Sequence, residues 1–306
     1  MTEIIVIGHK NPDTDSIVSA IAYARLKVEL GEESYIAGRC GEPNEETKYV
    51  LKLANLSEPK LVEDVSGKKV VLVDHNELSQ ACTGIENAEI LEIVDHHKLN
   101  FSYPVPIYVL TEPLGSTATI ITKLYLREKV EIGKELALAL LGAILSDTVV
   151  LRSSTTTETD RRLAEKLAEL AEIEDLERFG VEVKKRKANI ANKTATDVLL
   201  EDFKEFEFPK GKVGIAQVEL VDFEEVDKRK KELIMAMERL KKEKGLALVA
   251  LMATNIIKGD TRLLCVGELG RVEEAFGKRV EKNEVYLENV MSRKKDVVPK
   301  LQKVFS

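Results

Sequence analysis

Four histidines stand beside aspartates at the downstream ends of apolar runs. His9 closes "IIVIGH", and Asp13 and Asp15 follow it; Asp74 and His75 close "VVLVDHN"; Asp95, His96 and His97 close "ILEIVDHH". Any one of these ends is also compatible with a helix cap or a satisfied turn. Three of them converging is another matter, because packed carboxylates repel and raise one another's pKa, and a cation removes that cost. A metal cluster is the economical explanation. Carboxylates outnumber imidazoles and no thiolate competes nearby, so Mn²⁺, Mg²⁺ or Co²⁺ fits, with Zn²⁺ as a further option. The candidates exceed what one tetrahedral ion takes. Two metals roughly 3.5–4 Å apart, sharing a carboxylate and a water, form the usual hydrolytic arrangement. Asp147 ends the apolar run "LGAILSD" and is either a further ligand or a cap; Asn76 and Glu77 are candidates to support the ligands.

A second polar feature lies far along the chain, where "NVMSRKKDVVP" places Arg293, Lys294 and Lys295 in a row. Basic triplets are commonly just solvated. This one sits between the strand-like "EVYLENV" and Pro299, which predicts a short loop. Arg grips phosphate oxygens bidentately and Lys adds a point charge. Such cations on a second domain could close over an anionic substrate, with Lys204 of "EDFKEF" as a further candidate.

These groups need a scaffold that brings strand ends together. The first half alternates strand-like runs ("EIIVIG", "KKVVLVDHN", "AEILEIVDHH", "VPIYVL") with helical ones, among them "DSIVSAIAYARLKVEL", "GSTATIITKLYLREK" and "GKELALALLGAILSDT". Runs apolar on both faces suggest central parallel strands. The order predicts a doubly wound, mainly parallel α/β domain, and such sheets bind ligands at the carboxyl ends of their strands. "TETDRRLAEKLAELAEI" reads as an amphipathic helix capped by Thr157 or Thr159. The chain then turns polar and basic. The expected organisation is an N-terminal metal-binding domain at 1–188, a linker at 189–195, and a smaller α/β domain with a mixed sheet at 196–306. In that second domain, "LALVALMATNI" and "TRLLCVGE" read as strands paired around "KGD".

Composition narrows the partners. The 306 residues are 44% hydrophobic, enough for two sizeable cores, and the net charge of -7 argues against a general nucleic-acid or membrane-surface binder. Aromatic residues that could stack bases are sparse, at 5%. Cys40, Cys82 and Cys265 are odd in number and widely spaced, and read as reduced thiols. No signal segment is visible, and no run approaches the roughly 18 apolar residues of a membrane helix. A soluble, cytoplasmic protein is expected.

The ordered stretches "GHKNPDTDS", "VDHNE", "VDHHK", "GSTAT", "ILSDT" and "SRKK" resemble the family II inorganic pyrophosphatases of the DHH phosphoesterase superfamily. The resemblance implies two α/β domains with the active site between them. It assigns His9 and Asp13 to one metal and Asp15, His96 and Asp147 to the other, with Asp74 bridging. His97, Lys204, Arg293 and Lys294 would contact the phosphates, and Asp95 would orient a ligand. It implies two Mn²⁺ or Co²⁺ ions per subunit, additional Mg²⁺ with the substrate, and a homodimer formed through the N-terminal domain. Pyrophosphate would be cleaved to two orthophosphates by a metal-bridged hydroxide, with Asp13 taking or relaying its proton. The alternative is a related phosphoesterase acting on short oligonucleotides, pAp or polyphosphate; the glycine-rich "GGGH"-like motif typical of those relatives is absent from the sequence. Two positions depart from the family pattern: Asp296 follows "SRKK" where Gln is common, and Arg152 stands where Lys often does.

Overall fold

A computed structural model describes residues 3–187, 190 and 193–306, and the chain divides into two compact units, residues 1–187 and 188–306. The first unit runs β1 (Ile4–Ile7), α1 (Thr14–Glu29), β2 (Tyr35–Arg39), α2 (Glu45–Leu53), β3 (Lys60–Leu61), β4 (Lys69–Val73), β5 (Glu89–Asp95) and β6 (Tyr108–Thr111). Four helices follow: α3 (Thr117–Glu128), α4 (Lys134–Asp147), α5 (Glu158–Leu170) and α6 (Leu176–Lys187). The six strands are all parallel, in the order β3-β2-β1-β4-β5-β6.

That order has one reversal. From β1 the chain winds outward through β2 and β3, then returns to lay β4 on the other side of β1. The crevice opens where the winding changes direction, outside the carboxyl ends of β1 and β4. His9 follows the first of these strands and Asp74 the second. The strands stay in place because both faces are covered. Ile5, Ile7, Val70, Leu72, Ile90 and Ile93 pack with Val65, Cys82 and Ile85 in one buried cluster. The apolar α4 is buried from Leu136 to Ser146 except at Leu138, and packs on α1 and α3.

The second unit contains α7 (Ala195–Leu200), β7 (Phe203–Phe208), β8 (Gly211–Leu220), α8 (Glu224–Lys244), β9 (Leu248–Asn255), β10 (Asp260–Gly267), α9 (Leu269–Phe276), β11 (Glu284–Leu287) and α10 (Val298–Phe305). Its sheet is mixed, in the order β11-β10-β9-β8-β7, with only the β8–β9 pair parallel. Val198, Val226, Leu233 and Met237 of α7 and α8 pack with Leu251, Ala253 and Leu264. Val272, Leu301 and Phe305 of α9 and α10 pack with Ile215, Met252 and Leu263.

The structure corrects one expectation and adds two elements. The polar stretch after Gly180 continues as α6 to Lys187, because Val183 and Lys184 are buried and α6 packs on α2 and α4. The "SRKK" segment is not a loop: Arg293–Val297 forms a turn of π-helix that runs into α10. Ser292 caps it by accepting the Lys295 N–H at 3.1 Å, and Pro299 lies in the first turn of α10, where its missing N–H costs nothing. A strand at Phe203–Phe208 was not foreseen; it carries Lys204. Of the proposed linker, residues 189, 191 and 192 lie outside the described residues, while Ile190 is buried with the core of the second unit.

One close approach governs the first loop. A Cβ added at Gly8 would lie 1.8 Å from Ser16 Oγ, so only glycine lets the chain leave β1 against the start of α1. Gly8→Ala should lower unfolding stability by about 1–3 kcal/mol, read from urea denaturation of the metal-free protein.

Candidate metal centre

The loop after β1 turns directly into α1. Asp13 is the N-cap, accepting the Ser16 N–H at 3.0 Å, and Asp15 sits fully buried in the first turn. Asp15 is held by a second helix as well. The first N–H groups of α3, from Thr117 and Ala118, donate to its two oxygens at 2.6 and 2.8 Å. Those N–H groups lack intrahelical partners, and the positive end of the helix dipole favours a carboxylate there. Asp74, at the end of β4, adopts φ +60°, a left-handed conformation that costs a non-glycine residue of the order of 1 kcal/mol. Its backbone N–H donates to Val94 O at 3.1 Å and Thr117 Oγ1 donates to its Oδ1 at 3.1 Å. Strain is concentrated after Asp147 too: Val149, Val150 and Leu151 all have positive φ.

The carboxylate of Asp74 faces two ways. Its Oδ2 lies 3.5 Å from His9 Nε2, which is 3.7 Å from Asp13 Oδ1. Its Oδ1 lies 3.4 Å from His96 Nε2, which is 3.5 Å from Asp147 Oδ2. These spacings exceed ordinary hydrogen-bond lengths and match two donors bound about 2.0–2.2 Å from one ion. Ligand atoms of His9, Asp13 and Asp74 lie within 4.8 Å of one another, as do those of Asp15, Asp74, His96 and Asp147; Asp74 belongs to both sets. His97 joins Asp74 and His96 in a third, overlapping set.

Imidazole orientation suits a metal. The Nδ1 of His96 is 3.0 Å from Leu114 O, which fixes the proton there. Its Nε2 is buried without a hydrogen-bond partner among the described residues and faces Asp74 and Asp147. His97 turns its Nδ1 to Asp95 Oδ1 at 2.9 Å. Asp95 is buried, and its other oxygen accepts from Asn76 at 2.7 Å.

The buried acids and imidazoles perturb one another strongly. Burial pushes Asp15 and Asp147 well above the carboxylate range, and the neighbouring carboxylates add to it. Burial opposes charge on His9, but Asp13 and Asp74 carry it up to about 10; His96 is likewise carried up to about 9 against burial, by Asp74 and Asp15. Asp74 stays low despite burial because both histidines face it. Donor types, spacing and the unpartnered His96 nitrogen all fit a pair of divalent ions.

His9, Asp13, Asp74 and Asp147 line a cleft of about 180 Å³ with His75, Asn76, Glu77, Gln80, His97 and Lys98. The residues expected to contact phosphate from the other domain, Lys204, Arg293 and Lys294, belong to the second unit. Lys204 is exposed on β7 and pairs in register with Ile215. Arg293 is buried; its Nη1 donates to Asp202 O at 2.6 Å and Ile215 O at 3.1 Å, and its Nη2 to Asp202 Oδ1 at 2.7 Å. Lys294 is exposed. Asp296 turns back on its own segment, accepting the Met291 and Ser292 N–H groups at 3.1 and 2.8 Å. Arg152 pairs with Glu177 at 2.6 Å.

Sequence reasoning missed Asp160. It is buried in the first turn of α5, where it forms a capping box with Thr157, and it accepts from Gly115 N at 2.9 Å and Thr119 Oγ1 at 2.6 Å. It thereby fixes the segment whose N–H groups hold Asp15. The "TETD" pattern signalled a cap, but nothing local signalled the reach to Gly115.

Metal ligands must be deprotonated, so Mn²⁺ binding should release protons. Because the raised groups keep their protons to higher pH, affinity should increase as pH rises, with the His96 and His9 contributions extending to about 9 and 10. Calorimetric titration in buffers of different ionisation enthalpy measures the protons released.

The chain matches the DHH family N-terminal domain over residues 3–144 and the DHHA2 domain over residues 181–304. It is 43% identical to the manganese-dependent inorganic pyrophosphatase of Methanothrix thermoacetophila, covering 99% of this chain and 98% of the relative. The manganese-dependent inorganic pyrophosphatase of Bacillus subtilis is also 43% identical, with 98% of each chain covered. A crystal structure described as a putative family II inorganic pyrophosphatase of Methanococcus jannaschii superposes with a TM-score of 0.64 at 41% identity, covering 99% of both chains. With two adjoining clusters sharing Asp74 and relatives matched over nearly their whole length, the chain belongs to the manganese-dependent inorganic pyrophosphatase family.

Proposed function

We propose that this protein hydrolyses inorganic pyrophosphate to two orthophosphates with two Mn²⁺ ions per subunit. The carrying observation is the Asp74 carboxylate, whose oxygens face His9 on one side and His96 on the other. His9, Asp13 and Asp74 would hold one ion, and Asp15, Asp74, His96 and Asp147 the second. When bound, the ions supply a water acidified to a pKa near 7 as the nucleophile.

The chain's own groups divide the remaining work. Asp13 has 29% of its side chain exposed, against 18% for Asp147 and 1% for Asp74. It is the carboxylate of this set most open to solvent, which suits it to take the proton of the attacking water. Asp95 raises the pKa of His97, so this exposed imidazole offers a cationic donor to a phosphate oxygen. Arg293, Lys294 and Lys204 are the proposed phosphate ligands of the second unit. Asp202 holds Arg293 in a defined orientation, and a phosphate would share or displace that contact.

The same reading takes Co²⁺ as an alternative to Mn²⁺, with additional Mg²⁺ arriving with the substrate. It makes the protein a cytoplasmic homodimer joined through the first unit. Three free cysteines and the edge strand β6, with exposed Tyr108 and Val109, support that assignment. No helix among the described residues is long and apolar enough to cross a membrane.

Phosphate release from pyrophosphate with added Mn²⁺, beside pAp, oligonucleotide and polyphosphate, tests the proposal. Preference for any of the other three overturns the substrate. Asp74→Asn should bind less than two Mn²⁺ and lose nearly all hydrolysis while far-UV circular dichroism is kept; surviving activity removes the bridging role. Arg293→Ala should raise KM by roughly tenfold, the weight of one charge-assisted hydrogen bond, and an unchanged KM takes Arg293 out of the site.

A further inference from the structure

Glu46 is a fully buried carboxylate that the proposed reaction does not use and that does not line the cleft. It lies in the first turn of α2. Its Oε1 accepts the Thr14 hydroxyl at 2.9 Å and also the Ser146 hydroxyl. Its Oε2 faces Lys184 Nζ at 3.4 Å and has no hydrogen-bond partner among the described residues. Lys184, on α6, is itself buried and donates to Ser146 O at 3.3 Å.

The two hydroxyls are placed tellingly. Thr14 stands between Asp13 and Asp15, and Ser146 immediately precedes Asp147. One carboxylate oxygen therefore ties the first turn of α1, whose acids fall in both ligand sets, to the end of α4, whose acid falls in one. Stability is a poor reason for this arrangement, because a buried ion pair is often replaceable by apolar groups at no net cost. Geometry is a better one. Carboxylates that repel one another need an outside restraint to hold a fixed separation, and losing a group that orients metal ligands typically costs about 10–100-fold in metal affinity.

We propose that Glu46, seated by Lys184, is a positioning residue that fixes Asp147 relative to Asp13 and Asp15 and so sets the affinity of the Asp15–His96–Asp147 metal site. The inference rests on the two-metal reading above. The His9–Asp13 site depends on it less, because Asp13 is also held by the Ser16 N–H.

The experiment is Mn²⁺ titration of metal-free protein by calorimetry, with thermal unfolding of the metal-free form alongside. The double variant Glu46→Leu/Lys184→Met removes both charges together. Its unfolding temperature should stay near that of the unaltered protein, while one of the two Mn²⁺ sites weakens 10–100-fold and the other is nearly unchanged. Two sites of unaltered affinity would overturn the inference, as would a fall in unfolding temperature with no loss of Mn²⁺ affinity, which marks a structural role only. Ser146→Ala offers a milder test should the double variant fail to fold: one Mn²⁺ site should weaken by roughly tenfold, and an unchanged isotherm again overturns the inference. If the unaltered protein takes up no pair of Mn²⁺ ions, the two-metal reading itself falls.

Discussion

Asp15 and Asp74 are buried against a common imidazole, and two ionised carboxylates so placed cannot coexist without positive charge between them. At about 4 Å, like charges repel by roughly 4 kcal/mol even at the effective dielectric of a protein surface. Much of the first unit can be understood as the means of holding that arrangement. The start of α3 donates two N–H groups to Asp15, and His9 and His96 take opposite oxygens of Asp74. Asp160, remote in sequence, fixes the start of α3 through Gly115 and Thr119. Each contact offsets negative charge or prevents the acids from moving apart.

The parallel sheet makes this arrangement possible. Strand order 3-2-1-4-5-6 opens a crevice between β1 and β4 and brings the end of β5 beside it. Three short peptide segments then meet without any long loop. The local backbone is strained to finish the job, at Asp74 and in the left-handed turn after Asp147. Such strain persists only where the surroundings over-determine it, and it collects at functional sites. Val150 is buried in that turn against Gly180 of α6, so the helix that carries Lys184 also braces the segment following Asp147.

The strands that carry the site were legible because β1, β4 and β5 are apolar on both faces and end in chemically conspicuous residues. The helices α1, α4 and α5 were legible from periodicity and caps; Asp13 and Thr157 serve as caps in the structure. What stayed hidden depends on contacts distant in sequence. Helix α6 reads as a polar segment because its buried face includes Lys184, which is tolerable only against Glu46 and the end of α4. The segment "SRKK" reads as a loop because three cations and a nearby proline obscure the apolar positions Val297, Leu301, Val304 and Phe305 that bury its far side. Glu46 itself sits in an ordinary-looking "NEET", a helix start at which acidic residues are expected on a solvated surface.

The two departures from the family pattern are explained by neighbours on the same segment or the next helix. Asp296 spends its charge on the Met291 and Ser292 N–H groups, acting as part of the cap of the turn that carries Arg293. A carboxylate occupied in this way shapes the segment without facing a ligand as a free anion. Arg152 finds Glu177 at the start of α6, an exposed pair of the kind that contributes little to stability. Arg293 is different, since its guanidinium is buried and bound to one carboxylate and two carbonyls. In its proposed role, a guanidinium already fixed in orientation would lose little freedom on taking a phosphate oxygen, so the affinity would depend on how well that anion replaced or joined Asp202 and not on ordering a flexible side chain.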